Sequence, residues 1–258
     1  MTSRTQREYL RQLVSEKNRW TRALTEEEKV LGFLGWHERG YLPHCDFPGL
    51  VQLVTFRLVD SMPASKRGEW EHLLDIEDVR ERRAKLEAYL DRGLGECYLR
   101  DPRIAQLAEE SLLYWHEKLY QVLAWCVMPN HVHVLVHLWQ TPLWKMVKAW
   151  KQFVATEAEP ILAERRPPAR QKSAANLNAP GRRPALRAQA LRWQREYWDT
   201  FMRDAKQEKT AIRYIENNPV KVRLCAAPDE WLLGSARFRN QDRQLVIPDE
   251  RRTPVRPA

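Results

Sequence analysis

The chain has 258 residues, 43% of them hydrophobic, which is the composition of an ordinary globular protein with one sizeable core. A formal charge of +9 points to a polyanionic partner, either nucleic acid or an anionic membrane surface. No apolar run approaches the roughly 20 residues of a spanning helix, and the opening MTSRTQREYLRQLVSEKNRW has no apolar secretory segment.

Residues 1–40 are highly charged with scattered apolar positions and read as a partly helical N-terminal arm. Leu50–Val59, bounded by Pro48-Gly49 and Pro63, is β-branched and partly alternating, a strand. Leu73, Leu74, Val79, Leu86 and Leu90 recur at helical spacing among charges between about residues 70 and 90. Pro102 can open the next helix, with Ile104, Leu107, Ala108, Leu112 and Trp115 as its apolar stripe. Tyr120–Met128 and His131–Leu138 are two strands joined at Pro129-Asn130, a turn short enough to force antiparallel pairing. A helix follows over 143–162.

Residues 164–192 change character, with eight lysines and arginines against one acid, and four prolines. Such a stretch reads as a solvated basic loop. A helix over Asp204–Asn218 is expected to stop at Pro219, because the residue before proline is pushed out of helical geometry. Residues 237–258 read as a C-terminal tail, leaving 41–236 as the main domain. The four cysteines, Cys45, Cys97, Cys126 and Cys225, have no paired spacing, so a cytoplasmic protein is expected. That favours nucleic acid over membrane. The tight hairpin excludes a purely parallel sheet, so the expected class is α+β: a ferredoxin-like antiparallel sheet with helices packed on one face.

Alternate side chains of a strand share a face, about 6.6 Å apart. His131 and His133 therefore point together, and two imidazoles can hold one divalent metal if a further oxygen or nitrogen ligand joins them. His137 shares the face but lies about 13 Å beyond His133, too far for the same ion. Positions four apart share a helix face, so Tyr214 and Asn218 are neighbours, the amide a candidate ligand beside a phenol. Either element alone has a plain alternative: a half-exposed strand for the histidines, a core-edge aromatic and a helix cap for the other pair.

Three stretches together resemble the REP-associated tyrosine transposases, relatives of the single-tyrosine HUH transposases. They are Arg39-Gly40-Tyr41-Leu42-Pro43-His44 with Val54–Leu58; Leu123–His133, ending Met-Pro-Asn-His-Val-His; and Glu196–Asp199 with Arg203-Asp204, leading into Arg213–Lys221. The similarity runs in order from about residue 37 to 236. Where the family continues after Pro219-Val220-Lys221 with a small residue, glycine and leucine, this chain has Val222-Arg223-Leu224, and the family's later tryptophan motif is reduced to Glu230–Ala236.

The resemblance implies an HUH-type endonuclease fold and nicking and joining of single-stranded DNA through a 5′-phosphotyrosine on Tyr214. It implies Mg²⁺ or Mn²⁺ on His131, His133 and Asn218, and a REP-like hairpin with a flanking single strand as substrate. Arg57, Arg165, Arg166, Arg182, Arg183, Arg213, Lys221 and Arg223 are the expected phosphate contacts, and Trp193 a stacking platform, with Tyr197 and Trp198 further candidates. Tyr197 is the rival nucleophile, lacking the asparagine partner. A monomer or homodimer with no membrane partner is expected. No Asp or Glu adjoins the histidines in sequence, so no general base is legible. A non-catalytic hairpin-binding protein and a water-activating HxH nuclease are the alternatives.

Overall fold

A computed structural model describes residues 22–38, 43–76, 78–165 and 190–251. The order of its elements gives the architecture. A short helix α1 (Glu26–Leu31) and a ribbon of β1 (Gly35–Glu38) and β2 (Pro43–Asp46) precede strand β3 (Val51–Arg57). Then come the short α2 (Arg67–Trp70), α3 (Val79–Leu90) and α4 (Pro102–Leu113), the hairpin β4 (Tyr120–Val127) and β5 (His131–Leu138), α5 (Leu143–Glu164), β6 (Trp198–Phe201) and α6 (Ala205–Lys221).

The main sheet is ordered β4-β5-β3-β6 and is antiparallel throughout. Counting only its own strands from β3, that is the 4-1-3-2 order of a βαββαβ ferredoxin-like unit. The class is α+β, as the hairpin required.

Pleating assigns the two faces. Val54, Phe56, Val122, Val132, Val134 and Val136 pack with α4 and α5 into the larger core, around Trp125 and Trp150. Asp101 caps α4, accepting from Arg103 N at 3.0 Å, with Pro102 in the first turn where no N–H is needed. The expected packing on one face describes these two helices. The opposite face carries Val51, Leu53, Cys126 and Leu135, and α6 lies across it through Ala211 and Ile215. The whole of β5 is buried, so its polar residues face a covered surface and not water.

Several boundaries differ from the sequence reading. The later part of the expected arm, from residue 22, is ordered: β1 pairs with β2, Trp36 opposite Cys45 and His37 opposite His44. Helix α6 does not stop at Asn218 but runs through Pro219 to Lys221. It closes there with Leu224 N bonded to Pro219 O at 2.8 Å and Arg223 N to Val220 O at 2.9 Å. That bonding is a Schellman close, which needs a left-handed residue; Arg223 supplies it at φ 61°. The position where the resembled family has glycine is therefore a glycine-type position filled by arginine.

The expected tail is packed as far as residue 251. Phe238, Leu245 and Ile247 join the larger core, and Arg237 forms two bonds with the buried Glu109, at 2.8 and 2.9 Å. Just before it, Val127 N bonds Leu233 O and Gly234 bridges Cys126, so the outer edge of β4 is covered. No described helix is long and apolar enough to cross a membrane.

Candidate active site

The sheet's second face collects the predicted residues. His131 and His133 stand on β5, opposite Arg57 and Thr55 of β3 in the pairing register. Both imidazoles are fully buried. Their Nε2 atoms face each other at 3.0 Å, while each Nδ1 is engaged behind: His131 on Asn130 Oδ1 at 2.7 Å, His133 on Thr55 Oγ1 at 2.8 Å. Asn130 donates its Nδ2 to the carbonyls of Leu90 and Leu94. Its oxygen must therefore accept, which puts the proton of His131 on Nδ1 and leaves Nε2 a bare lone pair. An imidazole so oriented from behind is the arrangement found at metal-ligating histidines.

Burial, and then the neighbouring ring, hold His131 well below its ordinary pKa. Burial and the nearby positive charge of Arg83 and Lys221 push His133 down to about 3. Both rings are neutral near pH 7, the form that ligates.

Helix α6 brings Asn218 and Tyr214 to this pair. Asn218 is buried, with Nδ2 3.0 Å from His133 Nε2, and its Oδ1 is enclosed without a hydrogen-bond partner among the described residues. Nitrogen and oxygen of that amide exchange places by a half-turn of the side chain. A cation would thus meet two imidazole nitrogens and an amide oxygen otherwise left orphaned. Two ligands at a right angle and about 2.1 Å from one ion stand about 3.0 Å apart, the separation these rings already have. The donor set fits a small divalent ion; among the described residues no three His, Cys, Asp or Glu cluster to hold one by themselves.

The Tyr214 ring lies edge-on to His133, centroids 5.4 Å apart. Its hydroxyl donates to Glu87 Oε2 at 2.9 Å. Burial, followed by that carboxylate, raises the phenol well above its ordinary pKa of 10. Glu87 was not legible in the sequence; it comes from α3, 127 residues from Tyr214. Helix α3 forms a polar seam with β6 and α6: Arg83 with Thr200, Glu87 with Tyr214, Asp91 with Lys221.

The remaining predicted residues divide. Arg57 is buried beside His131, its Nη1 on Ser61 Oγ at 3.2 Å, so it shapes the site's wall and is no surface phosphate contact. Trp193 packs edge-on to Phe56 at 5.0 Å, part of the core margin and not an open platform. Arg165 pairs with Asp101 at 2.8 Å. Arg213 and Arg223 are exposed on or just beyond α6, and the exposed Lys221 pairs with Asp91 at 2.6 Å. Arg166, Arg182 and Arg183 lie outside the described residues. Tyr197 is buried in the larger core against His44, centroids 4.7 Å apart, across the sheet from the histidines, and is removed as a rival nucleophile. Trp198 is buried against Leu86 and Leu90.

Fold and site thus define an α+β protein with a buried His–His–Asn cluster and a carboxylate-bonded tyrosine at its edge. No protein-family model matches the chain, and no curated protein matches it. One solved structure, described as that of a REP-associated tyrosine transposase bound to a REP hairpin, is similar over 79% of this chain and 83% of that chain. The identity is 13% and the TM-score 0.43.

Proposed function

We propose that the protein nicks and rejoins single-stranded DNA, with Tyr214 as nucleophile and a divalent cation, Mg²⁺ or Mn²⁺, on His131, His133 and Asn218. One observation carries the proposal: a single helix brings the Tyr214 ring and the buried Asn218 amide, whose Oδ1 has no hydrogen-bond partner among the described residues, beside the His131–His133 pair. The sequence resemblance and the net positive charge support the choice of DNA.

At rest the phenol is protonated and a poor nucleophile, so a proton acceptor is needed. Glu87 already accepts its hydrogen bond. As the Tyr214 oxygen bonds to phosphorus, the phenolic proton passes to Glu87 and the bond from phosphorus to the 3′ oxygen breaks. The products are a 5′-phosphotyrosine and a 3′-hydroxyl whose oxygen has taken a proton; the phosphoester energy is kept for rejoining. The bound cation would contribute charge neutralisation at the phosphate. Asn130 and Thr55 keep the imidazoles aimed, and the covering of this face by α6 excludes bulk water. A REP-like hairpin beside the cleaved strand, and a cytoplasmic location, belong to the same reading.

The deciding experiment incubates the full-length protein with Mn²⁺ and a pool of hairpin-bearing oligonucleotides, then looks for a covalent adduct in denaturing gels. An adduct from the wild type and none from Tyr214→Phe, with binding retained by both, is expected. Cleavage without adduct would identify a water-activating nuclease, and binding with neither product a non-catalytic hairpin binder.

A further inference from the structure

Helix α3 holds a second group that the chemistry above does not use. Arg83 stands one turn before Glu87, and the two side chains bond through Nε to Oε1 at 2.9 Å. The other oxygen of that carboxylate takes the Tyr214 hydroxyl. The guanidinium is therefore one carboxylate away from the nucleophilic oxygen. Its Nη1 is fixed on Thr200 Oγ1 of β6. Its Nη2 is enclosed and has no hydrogen-bond partner among the described residues.

A buried guanidinium nitrogen with both N–H groups unfilled is costly, since an unmet buried donor gives up its water for nothing. Structure that fixes the other two nitrogens while leaving the third open is a feature of anion sites, because the planar fork suits phosphate oxygens. Lysine in this place would offer one ammonium, unable to serve Glu87, Thr200 and a ligand at the geometry of a fork.

We infer that Arg83 is a phosphate-binding residue of this site, its Nη2 receiving a non-bridging oxygen of the phosphodiester that Tyr214 attacks. This rests on the proposed tyrosine chemistry for its meaning, but the anion site can be tested without it. Once the phosphate is seated, Arg83 joins two tasks: it holds Glu87 toward the phenol and neutralises charge on the group being attacked. Both tasks matter more in the transition state than in the ground state.

The test uses inorganic phosphate as probe. Unfolding temperatures of the full-length, EDTA-treated protein are compared in phosphate and in chloride at equal ionic strength. The wild type and Arg67→Gln, a variant in the exposed Arg67–Glu71 pair at α2, should both be stabilised by phosphate specifically. Arg83→Gln should lose that response. If Arg83→Gln does not unfold cooperatively, Arg83→Lys, which keeps a charge beside Glu87, is judged by the same criterion. A response unchanged without Arg83, or absent from the wild type, overturns the inference. In the adduct assay, Arg83→Gln should slow covalent capture by about 10²–10³-fold, the loss typical of one preorganised donor, while DNA affinity changes less than about threefold. An Arg83-dependent phosphate response without any wild-type adduct would sink the tyrosine chemistry alone; an adduct formed at full rate by Arg83→Gln would sink the Arg83 assignment alone.

Discussion

At the scale of single residues, two buried polar atoms near the histidines and Tyr214 have no hydrogen-bond partner among the described residues and are open to ligands. They are Asn218 Oδ1 and Arg83 Nη2. Replacing Asn218 by Ala should weaken Mn²⁺ binding by about 10-fold or more, measured by calorimetry, if its oxygen completes the donor set. An unchanged affinity would show that the third ligand lies elsewhere. Arg223 makes a different prediction. A non-glycine residue in left-handed geometry costs roughly 1–2 kcal/mol, so Arg223→Gly should stabilise the protein by about 1 kcal/mol, read as a higher urea midpoint at unchanged slope. Any phosphate contact that Arg223 makes would be lost in the same variant, separating its folding cost from its binding role. His131, His133, Tyr214 and Asn218 were legible because strand and helix periods fix which side chains share a face. Glu87 and Arg83 were not. They sit in Arg82-Arg83-Ala84-Lys85-Leu86-Glu87, where four of six residues are charged and nothing local distinguishes a largely buried pair from a solvated one.

At the scale of elements, the hairpin and α6 were predictable and their junctions were not. In sequence Pro219 signals a stop, yet a proline in the final turn loses only its own hydrogen bond, and burial of Asn218 and Pro219 against the sheet outweighs that loss. Strand β1 escaped notice because four residues with two polar members carry no usable alternation. The segment after 236 reads as a tail in sequence because its few apolar anchors, Phe238, Leu245 and Ile247, are scattered among charges, and a charge run does not reveal which members find partners. Here Glu109 is buried and bonded to Arg237 and to Trp125 Nε1. Removing one member of such a pair strands the other: Arg237→Ala should cost about 3–5 kcal/mol. Chemical denaturation of Arg237→Ala measures this, and a loss under about 1 kcal/mol would show that the C-terminal segment is only laid on the surface.

At the scale of the whole molecule, protons bind differently to the folded and unfolded chains on the two faces of the sheet. His131 and His133 have depressed folded pKa values, so their contribution is present above about pH 6.5, the unfolded value, and is lost as pH falls toward about 3 for His133. Stability should therefore fall as pH drops below about 6.5. Asp46, lifted to about 6 by burial, works the other way below pH 6, one proton against two. On the other face, burial opposes charge on His44, but the carboxylates of Asp199 and Glu196 outweigh it and raise its pKa. That contribution is complete below about pH 6.5 and is lost as pH rises through the raised value. The metal-free protein should therefore be most stable slightly above pH 6.5 and less stable on either side. Denaturation midpoints from pH 4 to 9 check this, and His44→Gln should flatten the alkaline limb alone.

The proline of α6 has a mechanical meaning. Lacking an N–H, Pro219 leaves the carbonyl of Ile215 without its usual donor, which makes that turn the softest point of the rod. The softened turn runs from Ile215 to Pro219, between the phenol of Tyr214 and the amide of Asn218. Flexure there would change their spacing, so the burial of Ile215, Asn218 and Pro219 is what keeps the two side chains in register.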